Sequence, residues 1–472
     1  MANRVRLCRV MGAIGIVSAM VCAIVAVPAC GHHDRPETTD AASSAPLAAG
    51  SPAPTVPPAP VAPAAFAALS GAVDESIAGH RLPGAVIQIG HGGTVVFRSA
   101  FGVRKLAGEP GLDGAPGPAE PMTIDTLFDL ASLTKSLATA TAVMQLHEQG
   151  MVELDEPVQT YLPGFNPAGD PRRALVTVRM LLTHSSGIAG DLSLDGPWGL
   201  EKPDKAEGLH RAEGAWVVAE PGQEFHYSDI GFILLGAIVE KLTGRDIDEQ
   251  AAAAVFAPLG MADTRYLPLA KACGPHGVRG GAVVPEPYGP RAERCAPGTW
   301  STDLLGRIAP TSHDGDTPGH NPDFGHLLRG TVHDPTARRM GGATGSAGVF
   351  ATAADVGRFA QALLDLLAGR PSAFPLTRAS AELMTRGQQL AGGDVRALGW
   401  DVDTAHSGPR GLLPVGGFGH TGFTGTSLWI DPASDTYIVV LANVIHQPGG
   451  PPIGSLAGRV ATEAARVLHL YG

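Results

Sequence analysis

Basic residues are scarce in this sequence and are nowhere clustered. The 472-residue chain has 34 lysine and arginine residues against 45 aspartate and glutamate residues, a net charge of −11. Proteins that bind nucleic acid present a concentrated basic surface, which this charge distribution does not provide. We therefore expect no nucleic-acid partner. An apolar content of 44% with 17% charged residues is typical of a folded, globular enzyme.

Two motifs of other hydrolases are absent. No G-x-S-x-G sequence occurs, and Gly345-Ser346-Ala347-Gly348 misses that spacing by one position. The 17 histidines are scattered, and the sequence contains neither H-E-x-x-H nor another clustered set of metal ligands. The sequence thus predicts an enzyme that needs no metal and no cofactor.

Cysteine is also rare, with five in the chain. Cys8 and Cys22 belong to an N-terminal apolar segment, and Cys30 follows it. Only Cys273 and Cys295 remain in the body, and they can pair if the protein folds in an oxidising compartment. Closing the loop between them would stabilise the fold by about 3 kcal/mol in the chain-entropy model. The sequence favours this disulfide over the alternative of two buried free thiols.

The first 29 residues have the pattern of an export signal. Three arginines precede an almost uninterrupted apolar run at residues 10–27. The run ends in Val27-Pro28-Ala29-Cys30, which resembles a bacterial lipobox with Cys30 as the lipidated residue. Simple cleavage after Ala29 is one alternative, and an uncleaved anchor is another, since such a run can just span a bilayer. All three place the body outside the cytoplasm, with membrane contact only through this segment.

Residues 30–64 form a tether rich in proline and alanine. Seven prolines between positions 46 and 63 prevent helix and sheet formation. In polyproline geometry the segment extends by about 3.1 Å per residue, which would hold the body away from a membrane. We expect one folded domain at 65–472.

Strand patterns lie at both ends of this domain and helix patterns in its middle. Residues 84–89 and 94–100 are β-rich segments joined through His91-Gly92-Gly93, a hairpin signature, and residues 427–430 and 436–441 form a second pair. Helical spacing of apolar residues predicts helices near 66–79, 132–149, 230–242, 355–367 and 453–468. Between 275 and 333 the sequence has little periodicity, which is typical of a functional rim or lid. We therefore predict one sheet built from both ends, flanked by helices.

A hydroxyl and an amine lie three residues apart in Ser132-Leu133-Thr134-Lys135, at the start of an apolar helix. Serine becomes a nucleophile when a base takes its proton, and burial can lower the pKa of a lysine enough for this. The helix N-terminus adds N–H groups where an oxyanion would form. With six lysines and 22 serines, chance predicts about 0.3 S-x-x-K matches, and this match stands alone. A solvent-facing pair is the alternative, but the flanking residues leave little polar face.

Tyr227-Ser228-Asp229 lies in a polar turn just before the apolar helix at 230–242. A tyrosine in such a turn could relay a proton between nucleophile and leaving group if nearby cations lower its pKa. The alternative is an ordinary helix entry, with Ser228 or Asp229 as the N-cap.

His420-Thr421-Gly422 precedes Phe423-Thr424-Gly425-Thr426 and then a strand pattern. Small and hydroxyl residues on an edge strand let a substrate backbone lie alongside it. The alternative is a glycine-rich turn that leads into a strand.

The three motifs, in this order along the chain, resemble those of the serine β-lactamase and penicillin-binding-protein superfamily. In that superfamily they are written S-x-x-K, Y-S-[ND] and [KH]-T-G. The chain is most similar to the branch of class C β-lactamases and D-alanyl-D-alanine carboxypeptidases, which also includes esterases. Other segments similar to this branch are Leu181-Leu182-Thr183-His184-Ser185-Ser186-Gly187, Pro258-Leu259-Gly260-Met261, Gly345-Ser346-Ala347-Gly348-Val349-Phe350 and Leu398-Gly399-Trp400. The resemblance covers the chain from about Phe66 onwards.

The resemblance implies a β-lactamase/transpeptidase-like fold of mixed α/β (α+β) class. An antiparallel sheet would come from residues 65–125 and 340–472, and a mostly helical part from 126–339, with Ser132 at their junction. Clefts between such parts are common ligand sites. We expect a monomer that acts on a small molecule or a peptidoglycan peptide.

The same resemblance implies roles for single residues. Ser132 would form an acyl-enzyme, with Lys135 and Tyr227 sharing the base and acid roles. The backbone N–H groups of Ser132 and Phe423 would bind the oxyanion. His420 and Thr421 would bind a substrate carboxylate or stabilise charge near Tyr227. The substrate-binding residues implied in this way are Asp229, His420, Thr421 and Gly422.

Two departures from the family pattern bear on the substrate. Asp229 stands where asparagine is commoner, and its negative charge would raise the pKa of Lys135 or accept a substrate amide proton. His420 replaces the lysine usual in β-lactamases and would supply a cation whose charge depends on pH. A D-alanyl peptide, a β-lactam and a small ester all remain candidate substrates. The alternative to an enzyme is a catalytically reduced envelope lipoprotein that binds peptidoglycan or another ligand without turnover.

Overall fold

The computed structural model describes residues 62–279, 282–285, 295–321, 324–447 and 452–471. The expected export signal, the expected lipidation site Cys30 and nearly all of the expected tether lie outside these residues. A short 3-10 helix, Pro63–Phe66, opens the described part and leads into the first α-helix. Within the described ranges, no helix combines the length and the apolar character needed to cross a membrane.

The longest strands of the described chain lie towards its two ends, and most of the helices lie between them together with short strands. The strands are β1 (Gly84–His91), β2 (Thr94–Lys105), β3 (Glu120–Pro121), β4 (Phe128–Asp129), β5 (Arg265–Tyr266), β6 (Ala272–Cys273), β7 (His276–Arg279), β8 (Ala282–Pro285), β9 (Trp300–Ser301), β10 (Ser312–His313), β11 (Leu327–Leu328), β12 (Val349–Ala351), β13 (Gln388–Gln389), β14 (Val395–Ala397), β15 (Trp400–Asp403), β16 (Phe418–Gly422), β17 (Thr426–Asp431) and β18 (Thr436–Ala442). The α-helices are α1 (Ala67–Ala78), α2 (Thr141–Glu148), α3 (Val158–Tyr161), α4 (Pro171–Ala174), α5 (Val178–Leu182), α6 (Lys205–Gly214), α7 (Asp229–Thr243), α8 (Ile247–Ala251), α9 (Pro335–Arg339), α10 (Ala353–Leu367), α11 (Arg378–Thr385) and α12 (Ile453–Val467).

The main sheet has nine antiparallel strands in the order β13-β14-β15-β16-β17-β18-β1-β2-β3. Its centre joins the two ends of the domain, because β1 pairs with β18 from Ala85 opposite Ala442 to His91 opposite Thr436. The two hairpins expected from the sequence, β1 with β2 and β17 with β18, flank this junction. The predicted fold class, with a sheet built from both chain ends, is confirmed.

Both faces of the main sheet are buried. Ala85, Ile87 and Ile89 point to one face, where they pack with α1 and α12. Val86 points to the other face, into the larger core that contains α10 and the helices of the middle segment. Because side chains of a strand alternate between faces, a strand covered on both sides must be apolar at nearly every position. This is why β1 is apolar from Gly84 to Ile89 apart from Gln88, which is buried and donates to the Tyr437 hydroxyl (2.8 Å).

Helix α7 is the buried centre of the helical part. The Ser228 hydroxyl accepts a hydrogen bond from the N–H of Gly231 (3.1 Å), so Ser228 is the N-cap. The helix ends at Gly244, whose φ of 67° lies in the left-handed region that glycine adopts without strain. After Ser132 the chain is helical as expected, but Lys135–Ala140 is a π-helical turn that precedes α2. Such turns often occur at functional sites.

In the described residues between 275 and 333 the chain forms short strands, turns and a 3-10 helix at Thr302–Arg307, in agreement with the weak periodicity of this stretch. Strand β4 joins β12 and β5 in a three-stranded sheet. The structure places Cys273 and Cys295 in a disulfide, with their Cα atoms 5.7 Å apart.

Two buried ion pairs fix the loop after β10 to helix α9. Arg338 lies 2.7 Å from Asp314, and Arg339 lies 2.8 Å from Asp316. All four side chains are at most 3% exposed. Arg339 also donates to three carbonyl oxygens of the 194–198 loop. Helix α9 is therefore held from two sides, and it carries residues of the site described next.

Candidate active site

A cavity of about 390 Å³ lies at the point where the sheet meets the helical part. Its lining comes from segments that are far apart in the sequence. The residues that line it are Ala131, Ser132, Asp191, Tyr227, Asp229, His333, Asp334, Pro335, Ala347, Arg396, Asp401, His406, His420, Thr421 and Phe423. The cavity therefore brings together all three motifs singled out in the sequence.

Ser132 follows a strained turn. Ala131 has a φ of 47°, a left-handed conformation that costs a residue with a Cβ about 1 kcal/mol. Asp129 holds the turn, since its carboxylate accepts from the N–H groups of Ala131 (3.0 Å) and His333 (2.7 Å). Burial raises the pKa of Asp129 to about 6, although these N–H groups oppose the shift. The Asp129 carboxylate thus couples the nucleophile turn to the cavity wall at His333.

Lys135 is fully buried behind Ser132. Its Nζ donates to Ser132 Oγ (2.9 Å) and to the carbonyl oxygen of Ser346 (2.9 Å), and it forms an ion pair with Asp229. Burial alone lowers the pKa of Lys135, but the attraction of the Asp229 carboxylate outweighs it, so the pKa lies above its usual value. The sequence led us to expect two opposite effects on this pKa, a decrease caused by burial and an increase caused by the charge of Asp229. The effect of Asp229 is the larger. Lys135 is an ammonium in the free protein.

Tyr227 lies beside Ser132 and Lys135, with the Lys135 Nζ 5.3 Å from the centroid of the tyrosine ring. Burial raises the pKa of Tyr227, Lys135 opposes this shift, and Asp229 adds to it. Tyr227 is therefore a neutral phenol in the free protein. Its contacts place it where a proton can pass between the nucleophile and a leaving group.

His184, in the Leu181–Gly187 segment, positions Tyr227. The two rings are stacked, with centroids 4.3 Å apart and planes 25° from parallel. His184 Nδ1 accepts from the N–H of Ser228 (3.1 Å). Burial and the positive charges of Arg396 and Lys135 lower the pKa of His184 well below its usual value, so the ring is neutral. The role of this segment is to hold the tyrosine turn.

Strand β16 lies between β15 and β17 in the sheet order, but its segment 420–422 is open on one side, as expected of an edge strand. It pairs with β17 along its length, whereas β15 pairs with it only where Asp401 lies opposite Gly419. In the described part of the chain no strand covers the other side of 420–422, so an extended substrate has room to pair there. Gly422 permits this arrangement, because a Cβ there would collide with the carbonyl oxygen of Leu130.

The two backbone N–H groups implied as an oxyanion hole are those of Ser132 and Phe423. Neither donates a hydrogen bond to any other described residue. The Phe423 side chain is 73% exposed at the rim and stacks on His333, with centroids 5.7 Å apart. Both N–H groups are thus available to a substrate oxygen.

His420 does not supply a cation, which corrects the expectation for this residue. Burial and the charges of Arg396 and Lys135 lower the pKa of His420 well below its usual value. Its Nδ1 donates to the carbonyl oxygen of Thr421 (2.7 Å). Nε2 is therefore a buried acceptor, and it has no hydrogen-bond partner among the described residues.

The cation on this side of the cavity is Arg396, which the sequence argument missed. It lies on β14 and is 1% exposed. It donates to Asp401 (3.2 Å) and lies over the Phe225 ring, 5.2 Å from its centroid. Its Nε and Nη2 have no hydrogen-bond partner within the described ranges. The sequence does contain one signal that could have identified Arg396, since it is a charged residue within the apolar segment before Leu398-Gly399-Trp400.

Three carboxylates of the cavity were also missed: Asp401, which pairs with Arg396, and two near Asp229, Asp191 and Asp334. Both Asp191 and Asp334 interact with the charge of Asp229, and Asp334 also caps α9. Burial, followed by repulsion from Asp229, raises the pKa of both Asp191 and Asp334 to about 6. No sequence motif contains either residue. In the described chain, no group of three or more histidine, cysteine or acidic side chains is arranged to hold a metal ion.

A family model described as Beta-lactamase matches residues 69–458. The chain belongs to the beta-lactamase family. This confirms the resemblance found in the motifs and, at the level of the family, the expected class of enzyme, a serine hydrolase related to β-lactamases and carboxypeptidases.

Proteins similar to this chain carry different names. A putative D-alanyl-D-alanine carboxypeptidase of Escherichia coli (strain K12) is 30% identical over 385 residues, which cover 76% of this chain and 77% of the relative. An N-acetylmuramyl-L-alanine amidase of Bacillus subtilis (strain 168) is 31% identical and covers 78% of both chains. A class C β-lactamase from Rhodobacter sphaeroides matches with a TM-score of 0.56 at 23% identity, over 85% of this chain and 99% of that one, which shows the shared fold.

Proposed function

We propose that this member of the beta-lactamase family is an exported peptidase that removes a C-terminal D-alanyl residue from a cell-envelope peptide through an acyl-enzyme on Ser132. The observation that carries the proposal is the buried guanidinium of Arg396, with unpaired N–H groups, in the cavity that contains Ser132. A charged hydrogen-bond donor of this kind favours a substrate with a carboxylate. A peptide C-terminus has one, whereas a simple ester does not. The names of the two relatives given above both specify a bond to alanine, which supports an envelope peptide.

The chemistry follows from the contacts of Ser132. Its Oγ would attack the scissile carbonyl, while the N–H groups of Ser132 and Phe423 stabilise the oxyanion. Because Lys135 is an ammonium and Tyr227 a phenol, this pair must first lose one proton. The pair then accepts the Ser132 proton and delivers it to the leaving amine. Water attacks the acyl-enzyme in the second half of the cycle, and its proton returns through the same pair to Ser132.

The test is the release of D-alanine from an N-acetylated peptide that ends in D-Ala-D-Ala. The matched substrate has a C-terminal amide, which keeps the shape and removes the negative charge. We expect the wild type to prefer the carboxylate, and Arg396→Gln to raise KM for it by roughly 10- to 100-fold with little change for the amide. Arg386→Gln, at an exposed arginine outside the cavity, is the control.

Other outcomes of this assay point elsewhere. Hydrolysis of simple esters without release of D-alanine would indicate an esterase. Binding of the peptide without turnover would indicate the non-catalytic lipoprotein. Equal rates for the carboxylate and the amide would show that Arg396 does not recognise the carboxylate of the substrate.

The proposed location is the cell envelope, either on a lipid at Cys30 or released after cleavage. This rests on the arginines, the apolar run and the lipobox-like sequence at residues 1–30. A Cys30→Ser variant should lose membrane association if Cys30 is lipidated. A variant that stays on the membrane would reject lipidation at this residue.

A further inference from the structure

His333 lines the cavity that contains Ser132, and no step of the proposed reaction uses it. Its backbone is fixed on both sides, because its N–H donates to Asp129 (2.7 Å) and its carbonyl oxygen accepts from Arg338 (3.0 Å). Its ring stacks on the Phe423 ring, with the two planes 19° from parallel. The imidazole therefore has a defined place and plane in the cavity wall.

The Ser312 hydroxyl determines which ring nitrogen of His333 carries the proton. Ser312 Oγ lies 2.7 Å from His333 Nδ1. Ser312 is 4% exposed, and Nδ1 is the one acceptor that its hydroxyl reaches within the described ranges. Because a buried hydroxyl proton without an acceptor is costly, Ser312 donates to Nδ1. In a neutral imidazole the ring proton is then on Nε2.

The His333 ring is neutral, so Nε2 offers one uncharged N–H group. Burial, followed by the positive charge of Arg338, lowers the pKa of His333 to about 4. In the part of the chain that the structure describes, the ring has no hydrogen bond other than that with Ser312. Ser312 is not among the lining residues of the cavity, so Nδ1 is turned towards the wall and Nε2 remains for a ligand. An uncharged donor of this kind suits a peptide carbonyl oxygen.

His333 and Arg396 lie at opposite ends of strand β16. Arg396 donates to Asp401, whose Cα pairs with that of Gly419 near the start of the strand. His333 stacks on Phe423, the residue that follows the end of the strand. Since a strand rises about 3.3 Å per residue, these two places are about 10 Å apart.

This separation assigns the two ends of the cavity to the two halves of the substrate. In the proposed reaction the scissile carbonyl oxygen binds to the N–H of Phe423, and the leaving residue extends back along β16 towards Arg396. The acyl half then extends past Phe423, to the end of the cavity where His333 lies. Its first hydrogen-bond acceptor beyond the reacting carbonyl is the carbonyl oxygen of the preceding peptide bond.

We propose that His333 is a specificity-determining residue whose Nε2–H donates to the carbonyl oxygen that precedes the acylated residue of the substrate. This inference rests on the proposed function and adds a contact on the acyl half. Ser312 is the positioning residue, since it acts through the His333 ring. The substrate class that follows is an N-acylated peptide, because a free amine in place of the acyl group has no such oxygen.

The experiment compares N-acetyl-D-Ala-D-Ala with N-thioacetyl-D-Ala-D-Ala as substrates of the full-length enzyme, with kcat/KM for D-alanine release as the readout. The two peptides differ in one atom, and sulfur accepts hydrogen bonds weakly. The wild type should prefer the oxygen peptide by roughly 3- to 30-fold, the value of one hydrogen bond to a donor that is otherwise left without a partner. The ratio is measured within each protein, so it does not depend on how much of a variant is folded.

The variants separate the N–H group from the packing of the ring. His333→Phe can still stack on Phe423 but has no donor, and it should lose most of the preference. His333→Gln places an amide N–H near the position of Nε2 and should keep part of it. Ser312→Ala frees the ring proton to move to Nδ1 and should also weaken the preference. His210→Phe, at an exposed histidine outside the cavity, should keep the wild-type ratio.

Equal kcat/KM values for the two peptides in the wild type would overturn the inference and leave the proposed function standing. A preference that survives in His333→Phe would overturn it too, because the preference would then come from another group. A preference unchanged in Ser312→Ala would overturn the positioning role of Ser312. Release of D-alanine from neither peptide would overturn the proposed function, on which the inference rests.

Discussion

Asp229 forms an ion pair with Lys135, directly behind the Ser132 hydroxyl that Lys135 also contacts. A carboxylate at this position stabilises the ammonium form of the lysine, so the group next to the nucleophile holds a proton in the free enzyme. The family more commonly has asparagine there, which has no charge. The difference between the two side chains should therefore appear in how activity depends on pH.

Replacing Asp229 with asparagine should move the acid limb of the kcat/KM profile to lower pH. Asp229 raises the pKa of both Lys135 and Tyr227, and one of these two groups must lose a proton before Ser132 can react. Removing the charge lowers both pKa values, so the active form appears at lower pH. The measurement is kcat/KM from pH 5 to 10 for the wild type, Asp229→Asn and the control Asp195→Asn, at an exposed aspartate outside the cavity. An acid limb that stays in place or moves up would contradict the role given to Asp229.

Tyr227→Phe should separate chemistry from packing. The phenylalanine ring can still stack on His184, but the hydroxyl beside Ser132 and Lys135 is gone. We expect kcat/KM to fall by about 10²- to 10⁴-fold, the usual contribution of a proton-transfer group, with little change in Tm. Tyr227→Leu, which also removes the stacking, should lower both activity and Tm. If Tyr227→Phe kept full activity, Tyr227 would not be the proton relay.

The buried pair of Arg339 and Asp316 should matter for stability. Asp316→Ala leaves the Arg339 guanidinium buried without its carboxylate, which costs about 3 to 5 kcal/mol. Contact with Arg339 lowers the pKa of Asp316 despite its burial, so this stability is fully present at neutral pH and declines as pH falls below the usual carboxyl range. Urea unfolding at pH 7 and at about pH 3, below the usual carboxyl range, measures both effects, with the exposed Asp303→Ala as control. An equal, small effect of the two variants would show that the pair does not stabilise the fold.

The disulfide between Cys273 and Cys295 closes a loop with a sequence separation of 22. Replacing both cysteines with serine should lower the free energy of unfolding by about 3 kcal/mol in the chain-entropy model. A reducing agent should have the same effect on the wild type and none on the variant. If the reducing agent destabilised neither the wild type nor the variant, the disulfide would contribute nothing to global stability.

The sequence predicted the sheet and the motif residues because their signals are local. The apolar strands β1 and β18 are recognisable from a few consecutive residues, and S-x-x-K fixes the spacing of Ser132 and Lys135 on one helix. That these strands pair with each other follows from the need to bury their apolar faces.

The rest depends on contacts between distant segments. Arg396, Asp191 and Asp334 are single charged residues without a motif, and their importance arises only because the fold places them around one cavity. The charge of His420 could not be predicted either, because it depends on burial and on the proximity of Arg396. Strand β16 was expected at an edge, and only the pairing of the complete sheet shows that β15 covers it at a single position.

The most direct test of the account is to locate the acylated serine. The purified protein is incubated with a fluorescent penicillin and with a fluorophosphonate, and the labelled peptide is identified by mass spectrometry in the wild type and in Ser132→Ala. We predict a label on Ser132 in the wild type, none in Ser132→Ala, and protection by a peptide that ends in D-Ala-D-Ala. A label on Ser185 or Ser346, or labelling by neither reagent, would contradict the assignment of Ser132 as the nucleophile.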